Sequence, residues 1–297
     1  MYVVIGATGN TGKIVTKTLL AQSKKVRAIG RNAEHLKSLG AESFVGNITD
    51  TESMKQAFAG CEAAYLIIAP DLANPDFPAY QKKATEALAA AVESSRMKYA
   101  VLLSSVGADK PSGTGPIAGL HAFEERLKRI SDLNALFLRA GYFMENILPQ
   151  VGAIKQMNAV AGPLKAELKA PMIATRDIGQ YAADALSALS FRGHQTQELL
   201  GQREVSYAEV TTVIGKAIGK PDLQYRQMAS EEFAALFMQM GASKSMANGL
   251  MEMADAMNAN QIRPLEPRST SNSTPTSIEQ FVTDTFAPAY RAAAAAA

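Results

Sequence analysis

Residues 2–21 read YVVIGATGNTGKIVTKTLLA, and this stretch decides the fold. Tyr2 to Ile5 have the composition of a buried strand, and from Thr11 to Ala21 the pattern is that of a helix. Between them stands Gly6-Ala7-Thr8-Gly9-Asn10-Thr11-Gly12. A turn that joins a strand to a helix this tightly needs positive φ and backbone without Cβ. It then aims N–H groups, and the partial positive charge of the helix start, at an anion such as a pyrophosphate. Gly6 permits the turn, Gly9 the close approach of phosphate, and Gly12 the packing of helix on strand. Thr8, Asn10 and Thr11 can add side-chain bonds. The spacing is Gly-x-x-Gly-x-x-Gly rather than Gly-x-Gly-x-x-Gly, so the strand–turn–helix context carries more weight than the pattern.

Outward from this unit, strands and helices alternate to about residue 140. Strands are expected at Lys25–Ile29, Ser43–Val45, Ala63–Ile68, Tyr99–Ser104 and Ala135–Arg139. Helices are expected at Ala33–Leu39, Thr51–Phe58, Phe77–Ser95 and Gly119–Ile130. Six strands with right-handed crossovers give an α/β, doubly wound parallel sheet. Beyond residue 140 the alternation weakens and Gly-Pro, Ala-Pro and Ser/Thr-rich stretches enter. A smaller, mainly helical second domain is expected over 149–297, beside a dinucleotide-binding domain over 1–148, with part of 172–195 packing back on the first. Within it, Ser206-Tyr-Ala-Glu209 reads as a capping box opening a helix to Ile218. Asp50 and Asp177 read as further helix starts. The terminal run Ala292–Ala297 carries no chemistry.

The end of the second strand chooses the dinucleotide. An acid there would bind the ribose 2′-hydroxyl of NAD, whereas an arginine accommodates the 2′-phosphate of NADP. The residues are Arg31 and Asn32, so the expected cofactor is NADP(H), with Arg31 as a forked cation on the phosphate and Asn32 bonding beside it.

Composition narrows the partners. The 297 residues carry 30 basic and 28 acidic side chains, without the dense cationic run that nucleic acid would require. One cysteine, Cys61, and three scattered histidines make disulfide and metal chemistry poor readings. No apolar stretch approaches the roughly 20 residues of a membrane span. The apolar strand beginning at residue 2 leaves no room for a leader, so the expected compartment is the cytoplasm.

The runs VVIGATGNTGKIV, RAIGRN, FVGNITDTESMKQAFAG, LLSSVGAD, HAFEERLK and RAGYFMENIL resemble the NmrA-like proteins, a branch of the atypical short-chain dehydrogenase/reductase superfamily. The resemblance extends through Glu198–Gly201, SYAEV and TSIEQFV to nearly the whole chain. It implies a Rossmann domain with a C-terminal substrate domain, and activities from NAD(P)H-dependent reduction of quinones or dyes to dinucleotide sensing without turnover. It also implies that Gly6, Thr8, Asn10, Thr11 and Arg31 hold the adenosine diphosphate end. Ile68, Ala69, Pro70 and Ser104 would line the cofactor, and Tyr142, Phe143 and Asn146 would border the nicotinamide. Asn47 stands where relatives often have an acid near the adenine.

Most short-chain dehydrogenases protonate substrate through Tyr-x-x-x-Lys, yet no tyrosine of this chain has lysine four residues later. His121 occupies the matching helix, one turn before Glu125. It is a candidate for proton relay or ribose contact, or a plain helix residue satisfied by Glu125 and a carbonyl. Tyr142 is the second candidate catalytic residue. Six methionines between Met238 and Met257 offer either a pliable apolar lid or ordinary packing. Reduction of a quinone leaves an oxyanion that water can protonate, so a dedicated tyrosine is dispensable. The expectation is an NADPH-dependent reductase that transfers hydride to a quinone or similar planar, conjugated electrophile. The alternative is a non-catalytic NADP(H)-binding redox sensor acting through a protein partner. The substrate would be a small aromatic or quinonoid molecule, with a homodimer or regulatory partner left open.

Overall fold

A computed structural model describes residues 1–295. The chain runs β1 (Tyr2–Ile5), α1 (Asn10–Ala21), β2 (Val26–Gly30), α2 (Ala33–Lys37), β3 (Glu42–Val45), α3 (Thr51–Phe58), β4 (Ala63–Leu66), α4 (Phe77–Ser95), β5 (Tyr99–Ser105), α5 (Pro116–Lys128) and β6 (Asn134–Ala140). There follow β7 (Tyr142–Phe143), α6 (Gln150–Met157), β8 (Ala159–Gly162), β9 (Ala170–Ile173), α7 (Thr175–Ala188), β10 (His194–Leu199), β11 (Glu204–Val205), α8 (Tyr207–Ile218), β12 (Gln224–Gln227), α9 (Ser230–Gln239), α10 (Lys244–Asn258), α11 (Ile278–Phe281) and α12 (Ala287–Ala295). Ala296 and Ala297 of the terminal alanine run lie outside the described residues.

The main sheet is parallel, in the order β10-β6-β5-β4-β1-β2-β3. Alternation along each strand divides the core. Val3, Ile5, Leu66, Leu102 and Phe137 face the layer of α3, α4 and α5, where Phe58, Leu88 and Phe123 are fully buried. Tyr2, Val4, Tyr65, Val101 and Leu138 face α1 and α7, where Val15, Leu19 and Ile178 complete the second core. Strand order reverses at β1, so a crevice opens beyond its C-terminal end, where ligands bind in such sheets. The glycine turn lies there.

The expected strand count is corrected. The sheet has seven strands, because the chain returns through α7, packed on α1, and adds β10 beside β6. The run HQTQEL is polar and exposed over its first half, which hides its strand character. The second half is mainly helical, as expected, and adds two small sheets, β11-β9-β7 and β12-β8, over a third core built on Ile147, Val160, Ile214 and Phe286.

Element ends follow local chemistry. Asp50 caps α3 through Glu52 and Ser53 N–H, and the Ser206/Glu209 capping box opens α8 as its spacing predicts. Helix α5 starts at Pro116 rather than Gly119, proline being at ease where its missing N–H is not needed. Asp177 does not start α7, which begins at Thr175; its carboxylate accepts from the Thr276 N–H and hydroxyl at 3.0 and 2.7 Å, binding the C-terminal segment to α7.

Candidate functional site

The turn after β1 is built around two glycines. Gly6 has φ +64°, a conformation glycine adopts without strain. At Gly12 a Cβ would collide with the Gly6 carbonyl, so the first turn of α1 can seat on the strand end only without a side chain. Gly9 has an ordinary φ of −80° and serves as N-cap; its N–H donates to the Gly6 carbonyl at 2.9 Å. No side chain caps α1 and no acid stands in its first turn. Its leading N–H groups and positive dipole end are therefore left for an external anion.

This turn forms one wall of a cavity of about 530 Å³, within the range of ligand pockets. Thr8, Gly9, Asn10 and Thr11 line it with Arg31, Asn47, Ala69, Pro70, Tyr80 and Phe143. Arg31 is exposed and has no carboxylate partner among the described residues. Its cation is close enough to Tyr80 to counter the upward push that burial, first, and Asp71 give that phenol. The Tyr80 hydroxyl donates to the Ala69 carbonyl at 2.7 Å and fixes the loop after β4 against the cavity. Thr11 is turned inward, where its hydroxyl accepts from buried Tyr65 at 2.9 Å. Asn47 uses its Oδ1 on the Thr49 N–H and hydroxyl.

A second, smaller cavity of about 170 Å³ lies across the 140–143 strap. Ser105, Ile117, Tyr142, Met253, Met257 and Ile262 line it, with Lys169, Glu204 and Arg263 exposed at its rim. Adjacent residues of β7 thus serve different cavities, Phe143 the larger and Tyr142 the smaller. The strand places them so because β7 pairs with β9 in the register Tyr142 to Met172 and Phe143 to Ile173. The Tyr142 hydroxyl lies 3.2 Å from that of Tyr207, whose ring stands 5.2 Å from Tyr225. Burial pushes the Tyr142 phenol above its ordinary range, and bonds with Tyr207 and Asn146 oppose the push. Burial raises Tyr207 further, with Tyr142 adding to it.

Several expected site residues stand elsewhere. Ile68 belongs to the core beneath α4, and its neighbour Ile67 takes the cavity wall instead. Ser104 points into the protein, donating to Glu124 at 2.5 Å; Glu124 in turn holds Arg139 through two bonds of 3.0 and 2.6 Å. Asn32 caps α2, accepting from the Glu34 and His35 N–H groups, and does not line the cavity. Asn146 is exposed beside Tyr142. His121 lines a hollow between α4 and α5, with Nδ1 2.9 Å from the Ala108 carbonyl, while Glu125 pairs with Lys128 at 2.7 Å. The two candidate catalytic residues are therefore not brought together. Among the described residues no cluster suits a metal ion, and no helix is long and apolar enough to cross a membrane.

Residues that sequence reasoning missed fall into two groups. Ile67, Asp71 and Asn74 lie in the loop at the carboxyl end of β4 and were findable as such, with Tyr80 following in the first turn of α4. Lys169, Tyr207 and Arg263 reach the smaller cavity or its tyrosine cluster from separate loops and helices, and no local pattern announces them.

The chain is 27% identical over 262 residues to an NAD(P)H azoreductase of Xenophilus azovorans, covering 85% of this chain and 86% of that one. Its fold superposes on an NADPH-dependent quinone oxidoreductase from Escherichia coli complexed with NADPH, with TM-score 0.78, 21% identity, and coverage of 96% and 100%. It superposes similarly on the Citrobacter sp. triphenylmethane reductase complexed with NADP(H), with TM-score 0.75, 19% identity, and coverage of 95% and 99%. The profile of the NmrA-like family matches residues 2–282, which takes in the glycine turn, both cavities and most of the third core, and the chain belongs to that family.

Proposed function

We propose that this protein is an NADPH-dependent reductase that delivers hydride to a quinone or a similar planar, conjugated acceptor. One observation carries the reading: an uncapped helix start and an Arg31 with no carboxylate partner among the described residues face the same cavity, and a separate acceptor-sized pocket lies just across β7. The first two fit the diphosphate and the 2′-phosphate of one ligand. Relatives that are named as azo, quinone or triphenylmethane reductases support the same class of chemistry.

The bound nicotinamide would supply the hydride. The chain's own part is to bind, orient and shelter. The Gly6–Gly12 turn takes the diphosphate, Arg31 the 2′-phosphate, and Ile5, Ile67 and Phe143 an apolar wall. Tyr142 faces the acceptor with a phenol that burial keeps protonated, so it donates a hydrogen bond to a reduced oxygen; water can complete the protonation. Tyr207 holds that hydroxyl in place. His121 braces the 107–109 turn through the Ala108 carbonyl and acts through position rather than proton transfer. A cavity open beside Tyr142 favours turnover over a role confined to binding.

The test is NADPH consumption with a panel of simple quinones and dyes. Quinone-dependent oxidation of NADPH, faster than that of NADH, is expected. A panel with no turnover beyond the buffer rate would contradict the proposal.

A further inference from the structure

The acceptor pocket has a charged rim over an apolar floor. Ile117, Leu168, Met253, Met257 and Ile262 supply the floor, and its 170 Å³ is close to the roughly 150 Å³ that accommodates one benzene ring. One ring fits inside and a second would extend toward the mouth. Lys169 and Arg263 stand at that mouth, both exposed and neither in an ion pair among the described residues. Among the described residues that line the pocket, Glu204 is the sole carboxylate against these two cations, and Glu209 lies near enough to Lys169 to feel its charge.

The rim is anchored. Lys169 directly precedes β9, whose Ala170 and Pro171 pair with Val205 and Glu204 of β11. Arg263 lies on a loop held from below by Glu198, a residue of β10 that is 4% exposed. Its carboxylate accepts from the Leu265 N–H at 3.0 and 3.1 Å and from the Glu266 N–H at 3.1 Å. The two cations thus extend from segments tied to the sheets, and both line the pocket.

Resting on the reductase reading above, we infer that the preferred acceptor is a flat aromatic molecule bearing an acidic substituent, a carboxylate or sulfonate, which Lys169 and Arg263 bind at the mouth. The apolar floor takes the ring and the rim takes the charge. The chemistry is otherwise unchanged. Bound NADPH would supply the hydride and become NADP+, and the quinone, with that hydride and a proton from water, would become the hydroquinone.

The test uses the full chain saturated with NADP+ and a binding readout. Naphthalene-2-sulfonate and neutral 2-naphthol are titrated by calorimetry at low and high salt. The sulfonate is expected to bind about tenfold tighter, as two exposed charge contacts allow, with the advantage shrinking in high salt. In the Lys169→Gln, Arg263→Gln double variant the ratio should fall toward one, and in Arg263→Glu it should invert. A wild-type ratio near one, an unaltered ratio in the variants, or no uptake of sulfonate would each overturn the inference. A quinone panel without turnover would defeat the reductase reading while leaving this ratio measurable, so the two failures are distinguishable.

Discussion

At Gly12 a single methyl group decides whether the phosphate turn can form. Its Cβ would meet the Gly6 carbonyl, so Gly12→Ala must push α1 off the end of β1. The expected cost is about 1–3 kcal/mol of stability with at least a roughly tenfold loss of NADPH affinity, read by thermal melting and by titration. Arg31 acts differently, because it is exposed and supports no packing. Arg31→Ala should weaken NADPH by about 10–100-fold, the worth of a charge-assisted contact, and barely affect NADH; equal losses for both would remove its assignment to the 2′-phosphate. Tyr142 yields a prediction in pH. Its phenol is raised by burial, so it stays protonated and supplies no alkaline limb, and kcat should be level from about pH 6 to pH 9. These roles were unevenly legible. Gly6, Gly12 and Arg31 announce themselves because backbone geometry and charge act locally. Ser104 is turned away from the cavity by Glu124, a partner distant in the chain, whereas Asn32 is claimed locally by the amides of Glu34 and His35 at the start of α2.

Helix α8 shows how far local chemistry fixes an element. The Ser206 hydroxyl accepts from the Glu209 N–H at 3.2 Å, and Glu209 accepts from the Ser206 N–H at 2.8 Å. Ser206→Ala should cost about 1 kcal/mol in a denaturant melt. The Ser206 amide, before the charge of Arg203, holds the Glu209 carboxyl below its ordinary 4.5. A depressed folded value means that the stabilisation is complete above pH 4.5 and lost as pH falls through the lower value. Ser206→Ala keeps the backbone N–H that the carboxylate accepts from, so both proteins should lose this stabilisation alike in acid, whereas the difference between wild type and Glu209→Ala should narrow. Helix α5 depends instead on a contact no local pattern foretells: Glu124, fully buried, pairs with Arg139 of β6. Glu124→Ala would strand a buried guanidinium and cost about 3–5 kcal/mol by thermal or chemical unfolding. A loss under 1 kcal/mol would show that water reaches Arg139. His121 lies on the same helix, and helical spacing placed it beside Glu125 without revealing that the Ala108 carbonyl would claim the imidazole.

The molecule as a whole is tied together by a chain that leaves the sheet and comes back. The first six strands were readable because apolar runs alternate with helices, whereas β10 was not, being polar along its exposed half. Yet α7 covers α1 and β10 covers the edge of β6. A fragment ending at residue 148 would expose both surfaces and should show no cooperative melt; a sharp transition would contradict the account. The acceptor pocket is likewise a property of the whole fold, its walls coming from residues 105 through 264. The larger cavity draws mainly on the first 80 residues, which is why it could be anticipated and the smaller one could not. Everything functional rests on that larger cavity. Calorimetric titration of the purified chain with NADPH and NADH tests it most directly: saturable uptake of one NADPH per chain, tighter than NADH, is predicted, and no uptake of either dinucleotide would contradict it.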